Sequence, residues 1–189
     1  MKTKGKKLSV CIQYHDSPCG RLVLGSVGGE LCLCDWSDWP CAERNKRRLV
    51  RVLDAELREE PSETIGRAKE QLDEYFAGKR KTFDLALRPV GTDFQKRVWR
   101  ALLEIPFGQT RTYRDIAARV NNLKGVRAVA QAIGANGIGI IIPCHRVIGS
   151  DRSLTGFAGG LEAKRTLLKL ETDYKNSILE GNAPTQACL

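Results

Sequence analysis

The sequence predicts an α+β protein: a small N-terminal β-meander plus helix domain, followed by a mostly helical C-terminal domain carrying a winged-helix-like helix-turn-helix. Three observations lead there. The length of 189 residues suits one ordinary domain with a small companion. Apolar residues alternate between turn signals through the first third of the chain. From Thr92 onward, apolar residues recur instead at helical spacing. The expected segments are residues 1–90, residues 91–171, and a polar tail, 172–189, expected to be disordered.

LSVCIQY, RLVLGSV and ELCLCDW, separated by HDSPCG and GG, read as three strands of a meander. Asn45 to Leu57 is charged and reads as a helix, and Pro61 with Ser62 restarts the chain. Ile65, Ala68, Leu72, Tyr75 and Phe76 follow a helical period, with Gly78 as the stop. Phe83, Leu85 and Leu87 alternate as a strand, and Pro89 with Gly91 marks the boundary. Thr92 and Gln95 have capping-box spacing ahead of the apolar face Phe94, Val98, Ala101, Leu102 and Ile105, which Pro106 and Gly108 end. Thr112 and Asp115 repeat the box before Ile116, Ala117 and Val120. The turn NNLKG then leads into VRAVAQAIGAN, giving a helix-turn-helix. A closing helix is expected from about Leu161 to Glu171.

Net charge is +9, and residues 91–171 hold +7 of it, with 13 Lys and Arg against six acids. This basic half beside a near-neutral remainder fits either a nucleic-acid partner or a solvated basic face. The seven cysteines form an odd, irregular set, which argues for a reducing intracellular compartment and not a disulfide framework. No secretion signal or membrane span is expected. In the second helix of the pair, only Arg127 and Gln131 are long and polar. Ala128, Ala132 and Ala135 would form a smooth stripe, suited to close approach without sequence readout or to packing on a neighbouring helix.

The apolar run GIGIIIPCHRVIGS ends at Pro143, Cys144, His145 and Arg146. A thiol of ordinary pKa, near ~8.5, is only slightly ionised at neutral pH and requires a base or cation nearby. His145 and Arg146 are adjacent candidates. In an extended strand neighbours point to opposite sides, so Cys144 and His145 would meet only through a turn or a water. An inert buried cysteine is the simpler reading of such a pair taken alone.

PCHRV, preceded by Asn136 and followed by GFAGG and a helix ending in Glu171, resembles the O6-alkylguanine-DNA alkyltransferases, the methylated-DNA–protein-cysteine methyltransferase family. The resemblance continues through FQKRVW near Phe94 and PFGQTRTYRDIA near Pro106, so it covers essentially Gly91 to Glu171. It implies a ribonuclease H-like layout for the first domain and a single-turnover transfer of methyl or other alkyl groups from guanine O6, and from thymine O4, to Cys144, without a cofactor. His145 would act as base through a water, held by Glu171. Tyr113 would assist the departing guanine at N3, and Asn136 would brace the turn. The substrate pocket would take in Tyr113, Val147, Phe157 and Ala158.

The resemblance further implies that the base is flipped out of double-stranded DNA bound in the minor groove without sequence preference, with Arg127 filling the gap. Gln95, Arg114, Asn122, Ala128, Gln131 and Ser150 would contact the DNA or its neighbourhood. The protein would work as a monomer in the cytoplasm, or in the nucleus of a eukaryote. Phe157 and Ala158 depart from the tyrosine or tryptophan and serine of many relatives. The structural zinc of some relatives is not expected, because His15 is the only histidine besides His145. A site from His15, Cys19, Cys32, Cys34 and Cys41 is less expected than packing cysteines. A non-catalytic helix-turn-helix regulator and a cysteine hydrolase are the competing classes.

Overall fold

A computed structural model describes residues 7–179, with side chains as far as Tyr174. The three strands β1 (Leu8–Ser17), β2 (Gly20–Val27) and β3 (Glu30–Trp36) form an antiparallel meander. Helix α1 is Pro40–Leu53, so it starts before the expected Asn45 and ends short of Leu57. Asp54 takes a left-handed conformation, φ 46°, and its N–H caps the Val50 carbonyl. The chain then turns into β4 (Ala55–Arg58), parallel to β1 and hidden from a sequence reading by its shortness. The sheet order is β3-β2-β1-β4.

Alternation sends the strands' side chains to two faces. Leu22 and Leu24 meet Ile65, Ala68 and Leu72 of α2 (Glu63–Phe76), whereas Val23 and Leu33 share a cluster with Ala42 and Leu49 of α1. A bulge shifts the β2–β3 register after Gly25, which pairs with Leu33 while Ser26 pairs with Leu31. Cys32 is the extra residue, and it falls with Leu33 on the α1 side. The expected strand Phe83–Leu87 does not form. This segment joins the sheet only where Leu31 N–H donates to the Ala86 carbonyl and Arg88 N–H to the Leu31 carbonyl, both at 2.8 Å.

The second half contains α3 (Asp93–Leu103), α4 (Tyr113–Arg119), α5 (Val126–Gly134) and α6 (Gly160–Leu179). Both capping boxes are present, Thr92 with Gln95 and Thr112 with Asp115. Two-residue strands β5 (Arg111–Thr112) and β6 (Val147–Ile148) pair in parallel beside the helix-turn-helix formed by α4 and α5. The core formed by the α2 face of the sheet is continuous with Val98, Trp99, Ile116 and Cys144, so the two halves share one apolar interior.

Two further expectations are corrected. Helix α6 passes Glu171 and reaches Leu179, because no glycine or proline interrupts it. The Tyr174 ring also packs against Phe107, at 5.6 Å between centroids. The remainder of the expected tail, 180–189, lies outside the described residues. Ala128, Ala132 and Ala135 do not form one open stripe: Ala132 is buried, and its carbonyl accepts the Trp99 indole N–H at 2.8 Å. The residues of α5 left exposed are Arg127, Ala128, Gln131 and Gly134.

Candidate active site

The segment before Cys144 is docked onto the edge of β3. Cys34 N–H donates to the Gly137 carbonyl at 2.8 Å, and Gly139 N–H to the Cys34 carbonyl at 2.7 Å. Asn136 braces the same segment from within. Its amide donates to the Ile142 carbonyl at 3.0 Å, and its carbonyl oxygen accepts from Ile138 N–H at 3.0 Å. Ile140 sits at φ 67°, a costly region for a β-branched side chain that such a network can hold. Cys144–Arg146 is then a 3-10 turn and not the extended strand of the sequence reading.

Within this turn Cys144 is buried, and burial pushes its thiol up to about 11, with the Asn136 amide acting in the opposite direction. The resting group is therefore a thiol. His145 is fully buried, and its Nε2 lies 2.8 Å from Glu171 Oε1. Because a carboxylate only accepts, the proton belongs on Nε2 and the lone pair on Nδ1. Burial lowers the imidazole pKa, against the pull of Glu171, so the ring is neutral at neutral pH. Nδ1 is buried and has no hydrogen-bond partner among the described residues. Such an atom calls for one.

Glu171 is the hub of the buried network. Besides His145 it accepts from Arg146 Nε at 3.0 Å and Nη2 at 2.9 Å, from the Tyr75 hydroxyl at 2.8 Å and from Gly108 N–H at 2.8 Å. Burial alone would raise its pKa, but the hydrogen bonds from His145 and Arg146 and the charge of Arg146 overcome this and leave it at about 2. Arg146 thus serves the carboxylate, not the thiol, and its Nη1 also donates to the Ile105 carbonyl at 2.6 Å. Lys164, completely buried, donates to the carbonyls of Val147 at 2.6 Å and Thr155 at 2.9 Å, and burial depresses its pKa to about 8.

An open cavity of about 750 Å³ lies between α5 and the segment 150–158. Tyr113, Arg127, Ser150, Phe157 and Ala158 line it, while Cys144, 7% exposed, does not, and Val147, expected in the pocket, is instead fully buried in the core. Among the described residues the Tyr113 hydroxyl makes only a long contact, 3.4 Å, to the Thr155 carbonyl, which leaves it able to turn toward a ligand. The N-terminal domain supplies a wall that the sequence reading missed, namely Trp39, Cys41 and Arg44. Trp36 packs edge-on to Phe157 at 4.9 Å, and a Cβ on Gly159 would lie 2.4 Å from its ring, so only glycine fits there. Of the remaining expected residues, Arg114 is exposed on α4, Asn122 lies in the turn before α5, and Ala128 and Gln131 are exposed on α5. Gln95 is held in the α3 capping box, away from this cavity.

His15 pairs with Asp73 at 2.9 Å, and among the described residues no group of three His, Cys, Asp or Glu side chains could hold a metal ion. Nor, among them, is any helix long and apolar enough to cross a membrane.

Residues 10–89 match the ribonuclease-like domain of 6-O-methylguanine DNA methyltransferase, and residues 93–173 match its DNA-binding domain. The chain belongs to this family. It is 43% identical over 162 residues to the constitutive methylated-DNA–protein-cysteine methyltransferase of Bacillus subtilis, covering 82% of this chain and 92% of that protein. The methylated-DNA–protein-cysteine methyltransferase of Methanosarcina barkeri is 60% identical over 104 residues, 55% of this chain and 66% of that one, a little under two thirds of its length. Among solved structures, Mycobacterium tuberculosis OGT in complex with DNA superposes with a TM-score of 0.73 at 38% identity, covering 88% of this chain and 94% of that one.

Proposed function

We propose that this protein repairs double-stranded DNA by moving an alkyl group from O6 of guanine onto Cys144, once per molecule. The observation that carries the reading is the buried thiol on the same short turn as a histidine whose Nε2 is held by a carboxylate and whose Nδ1 is free to accept. A water between Nδ1 and Cys144 would give that nitrogen its partner and carry the thiol proton to the imidazole. Sulfur then attacks the alkyl carbon, the S–C bond forms and the C–O6 bond breaks. Glu171 stabilises the resulting imidazolium, as the orienting acid does in a nucleophile–base–orienter set. Tyr113 donates toward N3 of the leaving guanine, and the backbone N–H of Ala158 serves O6. A thioether is a poor leaving group, so the sulfur is not regenerated.

The base reaches the cavity by flipping out of the duplex, at a cost of a few kcal/mol, with Arg127 filling the gap from the exposed face of α5 in the minor groove. The small exposed residues Ala128 and Gly134 favour close approach and offer little sequence readout. Arg114, Asn122, Gln131 and Ser150 would contact the DNA backbone nearby, and O4-alkylthymine would be a second substrate of the same pocket. The described cysteines are all free, in keeping with a reducing cytoplasm, and the protein acts as a monomer. Incubation with a duplex containing O6-methylguanine, followed by peptide mass spectrometry, tests the reading. One methyl per protein on the peptide holding Cys144 supports it. Repeated turnover, a methyl on another cysteine, or no transfer would overturn it.

A further inference from the structure

The first domain is near neutral in sum, yet α1 gathers five cations, Arg44, Lys46, Arg47, Arg48 and Arg51, against the single acid Glu43. Positions 44, 47, 48 and 51 follow i, i+3, i+4 and i+7 and so share one helical face. That face lines an open groove of about 760 Å³, together with Pro40, Glu43, Gln95 and Ala135. Glu43 is engaged by Lys46 at 2.8 Å and does little to neutralise the stripe. Two of the arginines are anchored at the C-terminal end of α5: Arg44 Nη2 donates to the Gly134 carbonyl and Arg48 Nη1 to the Ala135 carbonyl, each at 2.9 Å. Arg48 Nε is buried without a partner. Arg47 and Arg51 are exposed and make no hydrogen bond or ion pair among the described residues.

We propose that this arginine stripe is a second DNA contact, made by the first domain, which holds the phosphodiester backbone beside the lesion. The inference rests on DNA being the substrate and adds a surface outside the helix-turn-helix. Continuity argues for DNA over an acidic protein, because Arg44 lines both this groove and the active-site cavity. Helix α5 has nine residues, so the stripe lies about 13 Å from the Arg127 end. A duplex carries one charge about every 1.7 Å of axis, and phosphates therefore fall opposite both ends. Guanidinium forks match phosphate oxygens two at a time, and crowded like charges are relieved by a polyanion. Burial depresses the Arg48 pKa, and the neighbouring charge of Arg44 adds to it.

The test uses the full chain and measures the salt dependence of binding to undamaged duplexes, one long and one confined to the nucleotides around Arg127. For the double variant Arg47→Ala, Arg51→Ala on the long duplex, the slope of log K against log salt should flatten by up to about 1.8, or 0.9 per phosphate contact. That slope corresponds to roughly fivefold in affinity per lost contact near physiological salt. The short duplex should register little change, and Arg47→Lys, Arg51→Lys should restore most of the slope. Circular dichroism confirms that each variant is folded. An unchanged slope, or an equal loss on both duplexes, overturns the proposal. So does loss of pyrophosphate binding with an unaltered DNA slope, which would mark a site for small anions. If the wild type transfers methyl to Cys144 while the double variant keeps its slope, only this inference falls. If the wild type binds no DNA, the proposed function falls with it.

Discussion

Replacing Glu171 by glutamine preserves the shape of the side chain and removes its charge. In the native protein the carboxylate accepts from His145, Arg146, Tyr75 and Gly108. An amide offers one acceptor oxygen and turns two donors toward groups that are themselves donors. The thermodynamic cost follows from the depression of the Glu171 pKa from its usual 4.5 to about 2, worth about 3 kcal/mol at neutral pH. Leaving Arg146 buried with only the Ile105 carbonyl as a full partner places the total at about 3–5 kcal/mol. The kinetic cost is separate. An imidazolium that forms beside a neutral amide loses its counter-charge, and the transfer step should slow by roughly 10²-fold or more. DNA affinity should change little, because Glu171 is buried. Rapid-quench single-turnover transfer at saturating DNA, fluorescence anisotropy of binding and urea unfolding measure the three quantities. A folded variant whose transfer rate stays within about twofold of wild type would refute a role for Glu171 in stabilising the imidazolium. An equal loss of binding and rate would point instead to collapse of the fold.

The remaining expectations are simpler. Cys144→Ser should abolish transfer and retain DNA binding, since a hydroxyl is far less ionised and less nucleophilic than a thiol; gel shift and mass spectrometry check this, and robust transfer by the serine variant would refute it. Arg127→Ala should reduce repair in duplex DNA much more than reaction with free O6-benzylguanine, provided the pocket admits the benzyl group, because only the duplex substrate must be flipped. Equal losses on the two substrates would assign Arg127 to the fold or the pocket. Acid should weaken the fold through Glu171. Its depressed pKa contributes stability that is present above about 4.5 and lost as pH falls toward about 2. Urea midpoints between neutral and acid pH should therefore fall more steeply for wild type than for Glu171→Gln, and parallel curves would count against this.

Local pattern sufficed wherever neighbours in sequence decide the outcome. Alternation between turns announced β1 to β3, helical spacing announced α2 and α3, and threonine three residues ahead of glutamine or aspartate announced both capping boxes, because a cap is made within one turn of chain. The order Asn136, PCHRV, Glu171 was legible as a motif, and so was the thiol within it. What the motif left open was geometry. The turn at Cys144 and the left-handed Asp54 that cuts α1 from β4 depend on what each segment packs against, which spacing does not encode. The partners of Glu171 come from positions 75, 108, 145 and 146, and those of the cavity from Trp39, Cys41 and Arg44 as well as the second half. Summed charge concealed the α1 stripe, since acids elsewhere in the first domain cancel it in a total but not in space. By itself the sequence determined which side chains are available and the local elements that carry them. Tertiary structure alone decided which of them meet, because a buried charge is stable only where a fold brings donors from distant parts of the chain to enclose it.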